Sequence, residues 1–123
     1  METKTKEQRV KAEKLRLGRL YKEMPDSKKK LCAGLIERAA FIRIELEDLE
    51  TFLSVNGWAE PFSQSEKLEP YDRARPQGQT YNTLHGNYLK TIKQLNDMLP
   101  EEVAKPIPIE NGFDNLMKRS AQL

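Results

Sequence analysis

One cysteine (Cys32), one histidine (His85) and one tryptophan (Trp58) are all that this 123-residue chain holds of those residue types. A lone cysteine excludes an internal disulfide and agrees with a reducing compartment. With one histidine and one cysteine, a single chain cannot assemble a His-rich zinc site or a CxxC pair. Gly34, Gly57, Gly78, Gly86 and Gly112 stand isolated, which excludes a glycine-rich phosphate loop. No apolar run approaches the ~20 residues that cross a bilayer, so no membrane partner is expected. Met1–Lys14 lacks the apolar core of a signal peptide, which makes the cytoplasm the expected location.

The few chemically capable side chains have plain structural roles available. Cys32 falls on a helical seam, where a small buried hydrophobe is expected. His85 stands one position from the apolar face of a helix and is expected at the surface or flank. Glu45, Glu47, Asp48 and Glu50 scatter around a helix axis, as a solvated face does rather than a metal cage. The chain is therefore expected to be no enzyme and to need no cofactor or metal.

What the chain does have is charge, unevenly placed. Residues 1–30 hold eleven bases against five acids, residues 31–69 three against eight, and residues 70–123 seven against six. The eleven are Lys4, Lys6, Arg9, Lys11, Lys14, Arg16, Arg19, Lys22, Lys28, Lys29 and Lys30. A basic arm ahead of an acidic middle suits a polyanion at one end, although a Lys-rich helix can also be merely solvated. The bases spread around the helix rather than forming one stripe, which suits phosphate contact better than base reading.

Periodicity predicts three helices. Residues 5–24 carry Val10, Leu17, Leu20, Tyr21 and Met24 on one face and stop at Pro25. Their join to residues 27–36 through Met24-Pro25-Asp26 is compatible with a helix-turn-helix. A long central helix begins at Asp26 or Ser27 and runs to Asn56-Gly57, a left-handed stop. It bears a heptad seam, Cys32, Leu35, Ala39, Ile42, Leu46, Leu49 and Leu53. Residues 57–76, rich in proline, read as a long connection whose Trp58, Phe62 and Tyr71 serve either as tethers or as contact residues. From Gln77 to Leu99, the face Tyr81, Leu84, Tyr88, Ile92, Leu95 and Leu99 predicts an antiparallel partner for the central helix. The expected fold class is all-α. Its parts are a basic N-terminal segment (1–25), a helical hairpin (26–100) and a flexible tail (101–123). In that tail Phe113, Leu116, Met117, Lys118 and Arg119 are the candidate partner contacts.

The central helix has a second apolar stripe, Phe41, Ile44, Phe52 and Val55, on the side away from the seam. Burying four such side chains is worth on the order of 6–12 kcal/mol, comparable to the stability of a small domain. Either the first helix folds back over the stripe, or copies of the chain pack through it. The second option makes these four residues an oligomer interface.

Three stretches, "LIERAAF" (35–41), "RPQGQTYN" (75–82) and "NYLKTIKQL" (87–95), in this order and spacing, resemble small terminase subunits of tailed bacteriophages, specifically the short type of Gram-positive phages and prophages. The resemblance covers about residues 19–100; the first eighteen residues and the tail match in character only. It implies a non-enzymatic viral genome packaging protein in the cytoplasm of a bacterial host. Such proteins form rings through helical hairpins, bind the packaging site on double-stranded viral DNA and regulate the large terminase subunit, which supplies the ATPase and nuclease. On that reading the N-terminal bases touch DNA and residues 113–119 engage the large subunit. The competing expectation is a non-enzymatic coiled-coil adaptor or scaffold that binds no DNA.

Overall fold

Thr5 opens the first helix with a reciprocal cap. The Gln8 N–H donates to Thr5 Oγ1 (3.2 Å), and the Thr5 N–H donates to Gln8 Oε1 (2.9 Å). The computed structural model describes residues 3–109, and α1 spans Lys6–Leu20. It ends a turn earlier than periodicity predicts: Tyr21 leaves helical geometry (φ −104°, ψ 27°), and Met24 precedes Pro25, which disfavours the helical region. A 3₁₀ turn, Asp26–Lys28, leads into α2, Lys29–Asn56, which stops where Gly57 takes φ +82°. The last helix, α3, is Pro76–Met98, with proline at its first position, where the missing N–H costs nothing.

The hairpin is antiparallel. Near one end the Tyr81 hydroxyl donates to Glu50 (3.1 Å); near the other Lys28 Nζ donates to the Met98 carbonyl (3.2 Å). Five of the seven seam residues, Cys32, Ala39, Ile42, Leu46 and Leu53, are buried. The first four of them meet Tyr88, Ile92 and Leu95 of α3 in one core. That core is dense enough that Leu17, Leu46, Ile92 and Leu95 lose all contact with water.

α1 packs along α2 and lays Leu17 and, just beyond its end, Tyr21 and Met24 into the same core. Ile36, Ala40 and Ile44, four residues apart on α2, are buried on this side. Ile44 is thus covered by its own chain: it is 3% exposed and sits beside Arg9, Ala12, Glu13 and Arg16. This corrects its expected place in a contact between copies. The fold-back of α1 buries it at no cost in association entropy.

The connection 57–76, expected as a long proline-rich link, has secondary structure of its own. It contains a two-stranded antiparallel ribbon, β1 (Ala59–Phe62) and β2 (Tyr71–Ala74), with Glu60 opposite Arg73 and Phe62 opposite Tyr71. Cross-strand pairs hold it. Arg73 donates to Glu60 (2.9 Å) and lies 3.9 Å from the Phe62 ring centroid, and the Phe62 and Tyr71 rings meet edge to face. Trp58 is seated against Gly78, where a Cβ would stand 2.9 Å from its ring, and it meets Tyr81 edge to face. Trp58, 53% exposed, ties the connection to α3, while Phe62 and Tyr71 hold the ribbon to itself.

Residues 101–109, expected to be flexible, lie against the helices. Asn96 is buried and needs partners. Its Nδ2 donates to the Ile107 carbonyl (2.9 Å) while its Oδ1 accepts from the Tyr21 hydroxyl (2.7 Å). Val103, Ile107 and Ile109 pack on the core beside them. Phe113, Leu116, Met117, Lys118 and Arg119 lie outside the described residues.

Candidate nucleic-acid interface

The basic arm meets the acidic middle of its own chain. α1 runs antiparallel to α2, so its N-terminal bases arrive over the carboxylates of α2's second half. Lys6 is paired with Glu45 and lies 3.7 Å from Asp48. Arg9 bridges two acids, Nη1 to Asp48 (2.7 Å) and Nη2 to Glu47 (2.9 Å). Lys14 lies 3.8 Å from Glu37. Hydrogen bonds from Arg9 first, then the nearby positive charge, hold the Asp48 carboxyl below the usual carboxylate range; Arg9 is raised by its bonds to Asp48 and Glu47, and Lys6 by its bond to Glu45. The acids 45, 47 and 48, expected to form a solvated face, therefore serve as the counter-surface for α1.

Two further bases are answered locally. Arg16 folds onto Glu13 one turn earlier, and Lys29 onto Asp26 (2.8 Å). Of the eleven N-terminal bases, Lys4, Lys11, Arg19, Lys22, Lys28 and Lys30 have no carboxylate within 4.0 Å among the described residues. Four of these six crowd one end of the molecule, where α1 turns into α2. Arg19 and Lys22 approach the turn, and Lys28 and Lys30 leave it. Lys28 also caps the C-terminal carbonyl of Met98, where the helix dipole favours a cation.

The two clusters differ chemically. A phosphate approaching Lys6 or Arg9 meets Glu45, Glu47 and Asp48 at the same distance and must displace them. At the corner Arg19, Lys22, Lys28 and Lys30 hold no carboxylate within 4.0 Å among the described residues; Asp26 is taken by Lys29, and Asp97, beside Met98, by Lys93. A polyanion bound by such open cations releases its own condensed counterions. The bases at the corner are open to an anion, while Lys6, Arg9 and Lys14 are already engaged by the acids of α2.

The second apolar stripe is divided. Phe41 is 54% exposed and Val55 78%, while Phe52 is half-buried near Arg75 and Ile44 is covered. Beside Phe41, α1 and α2 enclose a largely apolar groove of about 730 Å³, floored by Val10 and rimmed by Lys6, Lys11 and Lys14.

Set beside protein-family models, curated proteins and solved structures, the chain matches none.

Of the remaining chemically capable side chains, Cys32 is buried and His85 is exposed. Cys32 is 5% exposed and its thiol is pushed up by burial; His85 stacks on Tyr81 at 6.1 Å. Among the described residues, no group of three or more His, Cys, Asp or Glu is arranged to hold a metal ion, and no helix is long and apolar enough to cross a membrane. Sequence reasoning missed the ion pairs between α1 and α2. Their signal was the charge asymmetry itself, +6 followed by −5, which describes a helix and its counter-surface as well as an arm for a polyanion.

Proposed function

We propose that this chain is a phage DNA-packaging protein of the small-terminase kind. In this reading it assembles as a ring through its helical hairpin, binds double-stranded viral DNA and regulates a large terminase subunit without catalysing a reaction. The observation that carries the DNA part is the basic corner: Arg19, Lys22, Lys28 and Lys30 share one end of the bundle with no carboxylate within 4.0 Å among the described residues. The assembly part is supported by Phe41, a large apolar side chain 54% exposed above an apolar groove.

The test is the salt dependence of binding to a labelled duplex. Replacing Lys22 and Lys30 with Gln should lower the slope of log affinity against log salt by about 1.8, two phosphates' worth. The pair Lys6→Gln and Lys14→Gln should lower it less, because those bases already hold carboxylates. Equal slopes for the wild type and the corner variant would remove the corner from the interface.

A second reading has its own support. The pairing of Lys6, Arg9 and Lys14 with α2 is what a helical adaptor without DNA binding would use to hold its three helices together. Such a protein would show no salt-sensitive affinity for duplex DNA.

A further inference from the structure

A second cationic site lies where no N-terminal base reaches. α2 and α3 flank a groove of about 440 Å³, lined by Arg38 and Ile42 on one side and Asn87, Lys90, Thr91 and Gln94 on the other; no residue of α1 lines it. Ile42 and Thr91 are buried and form the floor. The Thr91 hydroxyl is turned inward, donating to the Asn87 carbonyl (2.9 Å). What faces the opening is a guanidinium, an ammonium and two carboxamides, all hydrogen-bond donors.

The charges here are unanswered. Arg43, Arg73, Arg75 and Lys93 each hold a carboxylate, at 3.5, 2.8, 3.2 and 2.7 Å. Among the described residues no carboxylate lies within 4.0 Å of Arg38 or Lys90. Exposed bases are often merely solvated. These two come from different helices, face one groove and have amide donors between them, which suits an oxyanion with several acceptor oxygens.

The groove is also continuous with the corner. Gln94 lines both it and the neighbouring hollow formed with Leu31, Leu35, Asp97 and Met98, and at the far end of that hollow Lys28 bonds Met98. Asp97, the acid on this path, is held by Lys93. From Lys28 to Arg38 along α2 is about 15 Å at 1.5 Å per residue. One DNA strand presents about four phosphates over that length, so a single strand can engage both places.

We propose that the Arg38–Lys90 groove binds backbone phosphates of duplex DNA and extends the basic corner into a track along the α2–α3 face. This rests on the DNA-binding reading above. In the full-length chain, Arg38→Gln with Lys90→Gln removes the charges from exposed positions and should leave the melting temperature unchanged. The salt slope for a labelled duplex should fall by about 1.8, so that the loss of affinity between 50 and 200 mM salt becomes about tenfold smaller than for the wild type. A steep wild-type slope that the double variant leaves unchanged overturns the groove and spares the corner. A wild type without salt-sensitive binding overturns both.

Discussion

At the scale of single residues, Tyr21 and Asn96 join three parts of the chain. The Tyr21 phenol is 2% exposed and donates to Asn96, which in turn donates to Ile107, so the end of α1, the last turns of α3 and residues 101–109 share one hydrogen-bond chain. Tyr21→Phe leaves the buried Asn96 oxygen without a donor and should cost about 1–3 kcal/mol in urea unfolding. Burial first, then the neighbouring Tyr88, pushes the phenol up to about 12. The folded state therefore keeps a proton that the unfolded chain releases near pH 10. This contribution to stability is whole below about pH 10 and lost as pH rises towards 12. The Phe variant should show a shallower decline across that window; an identical decline would mean the phenol is not held as described. Tyr88, Tyr81 and Cys32, also raised by burial, contribute to the slope that remains, as do the ion-paired Lys6 and Lys29.

At the scale of elements, the question is what keeps α1 on α2. Leu17 supplies apolar burial, while Lys6 and Arg9 with Glu45, Glu47 and Asp48 supply orientation. These ion pairs are partly exposed, so each contributes little and salt screens it. Asp48→Asn should lower the melting temperature slightly in low salt, and the difference from the wild type should vanish in 1 M salt. The pH dependence has the opposite sign to that of Tyr21. The Asp48 carboxyl is depressed, so its stabilisation is present above the ordinary carboxylate range and lost as pH falls through it. A wild type and variant that differ equally at every salt concentration would assign Asp48 a packing role instead.

At the scale of the whole molecule, the surface left open by the three helices determines what the protein can join. Phe41 beside the Val10 groove is one apolar part of that surface, and burying one Phe is worth about 1.5–3 kcal/mol. If copies pack there, light scattering after size exclusion should give a mass several times the 14.3 kDa of one chain. Phe41→Asp would place a charge in an apolar contact and should reduce that mass to one chain without unfolding it, since the residue is exposed in the single chain. A wild type that stays monomeric at high concentration would count against the ring.

Local rules made the three helices readable. The 3-4 spacing of the seam, Pro25, Gly57 and Pro76 act through sterics and periodicity over a few residues, and the helix limits fall within a turn of those expected. The Glu60–Arg73 ribbon escaped notice because its strands are four residues long and are joined by pairs nine to fifteen positions apart in the order of the chain. The tail's anchor escaped for the same reason: nothing near Ile107 announces Asn96. Charge was legible as a quantity but not as a destination. Whether the bases of residues 1–30 faced solvent or the acids of residues 37–48 depended on the direction in which α1 folds back. That choice follows from burying Leu17 and Tyr21 against Ile36 and Ala40, and only the packed chain makes it.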